Sequence, residues 1–215
     1  MKLKSRLILA LDITDRKQAN QIVSNVAGSI DAVKVNYPFA LGCGMDAIRE
    51  LAEKTDVICD FKVADIPNTN RLVVEQVVRS GAKGVICHAF PGRDSLEACI
   101  KAASGMDVFV VTEMSHPGAG MFMAPVAEKM ARLAVEVRAS GIIAPATRPE
   151  KVMALRKIVG GLKILSPGVG AQGGSAADTI RAGADYVIVG RAIYEAKDPA
   201  KAANELAREI KDAIR

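Results

Sequence analysis

Eight short apolar runs alternate with eight stretches of helical periodicity along 215 residues, and the apolar runs lack alternating polar positions. Strands that are apolar on both faces belong to a parallel sheet covered by helices. Eight such units in a chain of this length predict a single (β/α)8 TIM barrel, with residues 1–215 as one catalytic domain. An open doubly wound sheet is the alternative. No linker, low-complexity tract or shift in composition divides the chain.

The first run, 7–11, reads Leu-Ile-Leu-Ala-Leu, and Asp15 stands early in the helix that follows. The second, 32–35, carries Lys34 among valines and alanine. The third, 57–61, ends on Asp60 and Phe61, and Pro67 marks the start of its helix. The fourth, 84–88, ends on His88. The fifth, 108–112, leads into a tract of turn formers before the helical spacing Val126-Met130-Leu133-Val137. The sixth, 141–144, precedes Arg148-Pro149-Glu150, a helix start. The seventh, 163–166, opens a glycine-rich loop, and a helix is expected from Ser175. The eighth, 186–189, leads to a last helix with Ala203, Leu206, Ile210 and Ile214 on one face.

Charge and composition exclude several classes of function. The net charge of +5 is scattered and aromatic residues are 4%, so a stacking surface for nucleic acid is not expected. A small anionic ligand accounts for the excess equally well. No run approaches the roughly 18 apolar residues of a membrane span. Cys43, Cys59, Cys87 and Cys99 form no C-x-x-C pair, and Cys59 and Cys87 read as small buried hydrophobes. The expectation is a cytoplasmic protein bound to neither membrane nor nucleic acid.

Barrel chemistry is built at the C-terminal ends of the strands. Those positions here hold Asp12, Lys34, Asp60 with Lys62 and Asp65, His88, Ser115, Pro167 to Gln172, and Gly190-Arg191. A period of two puts Asp60 and Lys62 on the same inward face, where isolated charges are costly. A structural ion pair is the plain interpretation of D-x-K. With Asp12, Lys34 and Asp65 nearby, an alternating network is expected instead, each carboxylate facing an ammonium. Such a network would destabilise a substrate carboxylate beside Asp60, and Lys62 could protonate the carbanion left when carbon dioxide departs.

The loop Ser166-Pro167-Gly168-Val169-Gly170-Ala171-Gln172-Gly173-Gly174 can bring amide N–H groups close to an anion, and the helix from Ser175 adds its N-terminus. Gly190-Arg191 adds a guanidinium suited to phosphate. Barrels often grip phosphate after strands seven and eight, which favours this over two plain turns. His88 is expected to be a hydrogen-bonded core histidine. The tract 113–122, with His116, Gly118, Gly120, Met121 and Phe122, is read as a mobile lid rather than a passive loop.

The motif Asp60-Phe61-Lys62-Val63-Ala64-Asp65-Ile66-Pro67, with Thr69, resembles the signature D-x-K-x-x-D-I-x-x-T of the orotidine 5′-monophosphate decarboxylases. The likeness extends through Leu9 to Asp12, Val33-Lys34-Val35, Thr112 to Gly118, Ser166-Pro167-Gly168, Gln172-Gly173-Gly174 and Val189-Gly190-Arg191. It spans nearly the whole chain and is strongest to the short archaeal-type enzymes. The resemblance implies conversion of orotidine 5′-monophosphate to uridine 5′-monophosphate and carbon dioxide, without metal or organic cofactor. It implies Lys62 as proton donor to C6, Asp60 against the departing carboxylate, and Lys34 holding Asp60 and the ribose. By the same resemblance, Asp12 binds a ribose hydroxyl, Ser115 the pyrimidine edge, and Gln172 bridges base and phosphate. Pro167 joins the substrate site, Gly190 and Arg191 hold the phosphate, and Asp65 and Thr69 reach the partner's site in a homodimer. Two other readings are a Mg²⁺-dependent 3-keto-gulonate-phosphate decarboxylase or hexulose-phosphate synthase, and a barrel that binds a phosphorylated ligand without turning it over. The first looks to a carboxylate where this sequence has Lys34.

Overall fold

Branched and aromatic residues with apolar cover on both sides form eight strands in the computed structural model, which describes residues 3–214. Residues 1, 2 and 215, part of the expected domain, lie outside the described residues. The strands are β1 (Leu7–Leu11), β2 (Ala32–Asn36), β3 (Val57–Val63), β4 (Gly84–His88), β5 (Asp107–Val111), β6 (Gly141–Ile143), β7 (Lys163–Pro167) and β8 (Tyr186–Val189). Each pairs in parallel with the next, and β8 returns to β1 through Leu7 opposite Val187 and Leu9 opposite Val189. The sheet is a closed (β/α)8 barrel, and the expected strand ends hold to within two residues.

The longer helices cover the outside: Arg16–Val26, Met45–Ala52, Pro67–Arg79, Arg93–Ala102, Ala127–Glu136, Pro149–Val159 and Pro199–Ala213. Asp15 caps the first by accepting the Gln18 N–H at 2.7 Å, and Asp198 caps the last by accepting that of Lys201 at 3.0 Å. Shorter helices, Tyr37–Cys43, Ala119–Phe122, Ala176–Arg181 and Arg191–Tyr194, make more helical segments than the eight expected. The tract read as a lid ends in one of these, Ala119–Phe122, with Ala119 buried and the side chains of Met121 and Phe122 exposed; residues 113–118 before it are not helical.

Two apolar layers result from the alternation along each strand. Outward residues such as Leu7, Leu9, Val33, Val85 and Val110 meet the helices, together with Cys59 and Cys87. Inward residues fill the barrel: Ile8, Ala10, Ile58, Ile86, Phe109, Val111, Ile143, Leu165, Tyr186 and Ile188 among them. Following the inward parity toward the strands' C-terminal ends leads to Lys34, Asp60 and His88. Beyond the strand ends it leads to Asp12, Glu113 and Gly190.

Phe109 fits inside the barrel because β4 begins with glycine. A Cβ at Gly84 would stand 2.9 Å from the Phe109 ring. Gly84→Ala should therefore destabilise the protein by about 1–3 kcal/mol through overpacking, measured by denaturant unfolding. In a Phe109→Leu background the added cost should fall by half or more. An equal cost in both backgrounds would show that the glycine serves something other than the ring.

Candidate active site

Parallel register sets Asn36 opposite Asp60 and Lys34 opposite Ile58, so the Lys34 side chain rises beside the Asp60 carboxylate. Lys34 Nζ donates to Asp60 Oδ2 at 2.9 Å, and Lys62 Nζ donates to Oδ1 at 2.8 Å. Lys34 and Asp60 are each 7% exposed. Burial works to raise the Asp60 carboxyl, but the charges of Lys34 and Lys62, with their hydrogen bonds, outweigh it. Its pKa lies below the ordinary carboxylate value. The carboxylate is ionised and both of its oxygens are claimed.

Lys62 reaches this position by a route that simple pleating does not supply. Pairing with β4 passes from Cys59 opposite Val85 to Val63 opposite Cys87, an advance of four residues on β3 against two on β4. The extra backbone forms a bulge, and Lys62 sits in it at φ 44°, in the left-handed region that non-glycine residues rarely occupy. Asp60 and Lys62 do meet, as the motif suggested, but the bulge aims the ammonium.

The expected alternating network is smaller than the sequence suggested. Asp12 accepts from Asn36 Nδ2 at 2.8 Å, and Asp65 Oδ1 accepts the Ile66 N–H at 2.6 Å. Neither forms an ion pair among the described residues, so the charge network is Lys34–Asp60–Lys62. Asp65 lies two residues before the helix Pro67–Arg79.

A cavity of about 250 Å³ lies over the inward residues Ala10, Ile86, Val111, Ile143 and Ile188. Asp12, Lys34, Asp60 and Lys62 line one part. Ser115, Pro167, Gln172, Gly190 and Arg191 also line it. Ser115, Thr147 and Gln172 converge on Gly168, where a Cβ would be 3.1 Å from Thr147 Cγ2 and 3.3 Å from Gln172 Oε1. Gly168 also has φ 106°, so both space and conformation call for glycine there. Arg191 forms no ion pair among the described residues. Ser175 is not in the cavity lining, and its hydroxyl caps its own helix by accepting the Asp178 N–H at 3.2 Å. At that end the cavity lining comes from Gly168, Val169, Ala171 and Gln172 with Gly190 and Arg191.

Asp65 and Thr69 do not line this cavity. They line a separate open groove with Tyr37, Leu41 and Phe61, and Lys62 borders both. Tyr37 stacks on Phe61 with ring centroids 6.0 Å apart.

Three contributors escaped the sequence reading. Glu113 lies in the cavity wall with no exposed surface and pairs with Arg148 at 3.0 Å, while Arg148 also donates to the Met114 carbonyl at 2.6 Å. Asn36 fixes Asp12. Continuing the inward parity of Phe109 and Val111 would have found Glu113. Only the folded barrel brings Arg148 to it. His88 is buried as expected, but its Nδ1 has no hydrogen-bond partner among the described residues. Its ring packs against Phe90 at 4.9 Å. Burial first, then the Lys62 charge, push its pKa down to about 4, with Asp60 acting the other way.

A barrel with a buried carboxylate held between two ammonium groups, one of them strained into place, belongs to the class of (β/α)8 enzymes. Within that class, residues 5–206 match the orotidine 5′-phosphate decarboxylase / HUMPS family, and the chain belongs to it. A Methanococcoides burtonii protein named orotidine 5′-phosphate decarboxylase is 59% identical over 213 residues, covering 98% of this chain and 99% of its own. A Thermococcus kodakarensis protein of the same name is 50% identical, covering 98% and 99%. The Methanocaldococcus jannaschii orotidine 5′-monophosphate decarboxylase, solved with the inhibitor BMP, superposes with a TM-score of 0.91 at 41% identity, covering 95% of this chain and 97% of that one.

The depressed His88 pKa has a consequence for stability. As pH falls below about 6.5 an unfolded histidine takes a proton, whereas folded His88 resists until about 4. Stability should be complete above pH 7 and decline between about 6.5 and 4. Asp60, with a depressed carboxyl, contributes at pH values above the ordinary carboxylate range, and its share is lost only at lower pH. Thermal unfolding of His88→Gln should lose the slope between pH 6.5 and 4. An unchanged slope in that variant would assign the loss to another group.

Proposed function

We propose that this protein is a carboxy-lyase that converts orotidine 5′-monophosphate to uridine 5′-monophosphate and carbon dioxide, the last step of de novo UMP synthesis. The observation that carries the reading is the Lys34–Asp60–Lys62 bridge in the cavity that Arg191 also lines. The near full-length likeness to proteins named for this activity supports it. The phosphate lies against Gly190 and Arg191 and the loop from Gly168, with Gln172 bridging to the base and Pro167 beside it. Ser115 binds the pyrimidine edge, while Asp12 and Lys34 take the ribose hydroxyls.

In this pose the substrate carboxylate stands against ionised Asp60. Two like charges about 4 Å apart at an effective dielectric near 20 repel by about 4 kcal/mol. Breaking the bond from C6 to the carboxylate releases carbon dioxide and leaves the electron pair on C6. The Lys62 ammonium donates a proton to that carbon, forming the C–H bond of the product, and solvent restores the lysine proton. Binding through the remote phosphate holds the substrate against this repulsion.

The metal-dependent branch of the same family is disfavoured by Lys34. Its ammonium sits 2.9 Å from Asp60, where it would repel a divalent cation from that carboxylate. We further propose one catalytic domain working in the cytoplasm as a homodimer, without metal or organic cofactor. A second copy would cover the groove beside Lys62, where Tyr37 and Leu41 are exposed, and receive Asp65 and Thr69 at its own site. Sedimentation should then give twice the chain mass. No helix among the described residues is long and apolar enough to cross a membrane.

Purified protein should consume the orotate absorbance of the nucleotide in buffer containing EDTA, and Lys62→Ala should not. An inactive wild type sinks the assignment, and activity that needs added Mg²⁺ revives the metal-dependent reading. Arg191→Ala should lower kcat/KM about 10–100-fold, because hydrogen bonds to charged groups contribute about 1.5–3 kcal/mol. An unchanged kcat/KM removes Arg191 from the phosphate site.

A further inference from the structure

Asn70 and Ser95 are polar side chains buried outside the cavity, with 0% and 2% of their surface exposed. Burial of such groups is costly unless their hydrogen bonds are made. Here they are made mainly to one residue. Asn70 Oδ1 accepts the Asp65 N–H at 2.9 Å, and Asn70 Nδ2 donates to the Asp65 carbonyl at 3.0 Å. Ser95 Oγ donates to the same carbonyl at 2.9 Å and accepts from Asn70 Nδ2 at 2.7 Å. Both main-chain groups of Asp65 are thereby held, while its side chain stays exposed.

Starting the helix Pro67–Arg79 does not require this arrangement. A serine or aspartate at its N-cap would serve, but Ile66 stands there and makes no side-chain cap bond. The polar groups act one residue earlier. They also tie that residue to the helix Arg93–Ala102, which carries Ser95, so the loops after β3 and β4 are fixed together. Fixing the backbone at Asp65 fixes the direction of its Cα–Cβ bond, and so where its carboxylate projects.

We propose that Asn70 and Ser95 are positioning residues for Asp65. They hold its backbone so that the exposed carboxylate meets the reacting end of a neighbouring site in one orientation. The proposal rests on the reading above that Asp65 acts in a partner's site. A displacement of even about 1 Å at a reacting group can cost about 100-fold in rate, so a buried clamp on a loop residue has a direct kinetic use.

A double-mutant cycle in the full-length protein tests this, with Asp65→Ala, Asn70→Ala and the combined variant assayed for kcat and KM on orotidine 5′-monophosphate. Asn70→Ala should lower kcat about 10–100-fold with uridine 5′-monophosphate binding unchanged, and should change kcat less than twofold once Asp65 is alanine. Equal fold-losses in both backgrounds, or a wild-type kcat in Asn70→Ala, overturn the proposal while Asp65 keeps its role. A wild-type kcat in Asp65→Ala removes that role and the proposal with it. Should Asn70→Ala fail to fold, Ser95→Ala carries the same cycle, since it removes one of the two donors to the Asp65 carbonyl.

Discussion

The Asp60 carboxylate, ionised although nearly closed to solvent, sets the terms for the rest of this structure. Burial alone would drive a proton onto it. Each oxygen instead accepts from a separate ammonium, and the two lysines reach it by different means. Lys34 arrives through the regular parallel register of β2 against β3. Lys62 arrives through a bulge and a left-handed backbone, a conformation that costs about 1–3 kcal/mol and persists only where its surroundings enforce it. The residue held in that conformation is the one whose ammonium meets Asp60 at 2.8 Å.

The barrel supplies the other condition, a dry floor. Ala10, Ile86, Val111, Ile143 and Ile188 present only hydrocarbon beneath the charges, which strengthens every electrostatic interaction above them. The closed sheet brings β2 and β3 into the same cavity as the loops after β7 and β8. Ser115 and Gln172, from different loops, converge on Gly168 because that glycine has no side chain to keep them apart. A ligand that spans the cavity from Asp60 to Arg191 therefore meets two chemically distinct sets of groups.

The parts of this arrangement that depend on short-range pattern were legible in the sequence. Runs of inward and outward apolar residues gave the eight strands, and strand-end positions gave Asp12, Lys34, Asp60, Lys62 and Arg191. What escaped was set by partners distant in the chain or by backbone geometry. The bulge at Lys62 is a register shift against β4, invisible in β3 alone. Glu113 was within reach by parity, yet its pairing with Arg148 spans two strands of the barrel. Asn70 and Ser95 look like ordinary helix residues until the fold places both on the Asp65 main chain. Ser175 starts a helix, as its local signal suggested, but does not itself line the cavity.

His88 completes the electrostatic account of the reacting corner. With Asp60 ionised between two ammonium groups, Lys34, Asp60 and Lys62 together carry one net positive charge, which favours an anionic ligand. A protonated imidazole at the end of β4 would add a second positive charge beside Lys62. In the decarboxylation proposed above, it would draw the substrate carboxylate away from Asp60 and weaken the repulsion between them. Burial and the Lys62 charge keep the ring neutral down to about pH 4, and Phe90 covers it. The neutral ring thus places a polar but uncharged group near the Lys62 ammonium.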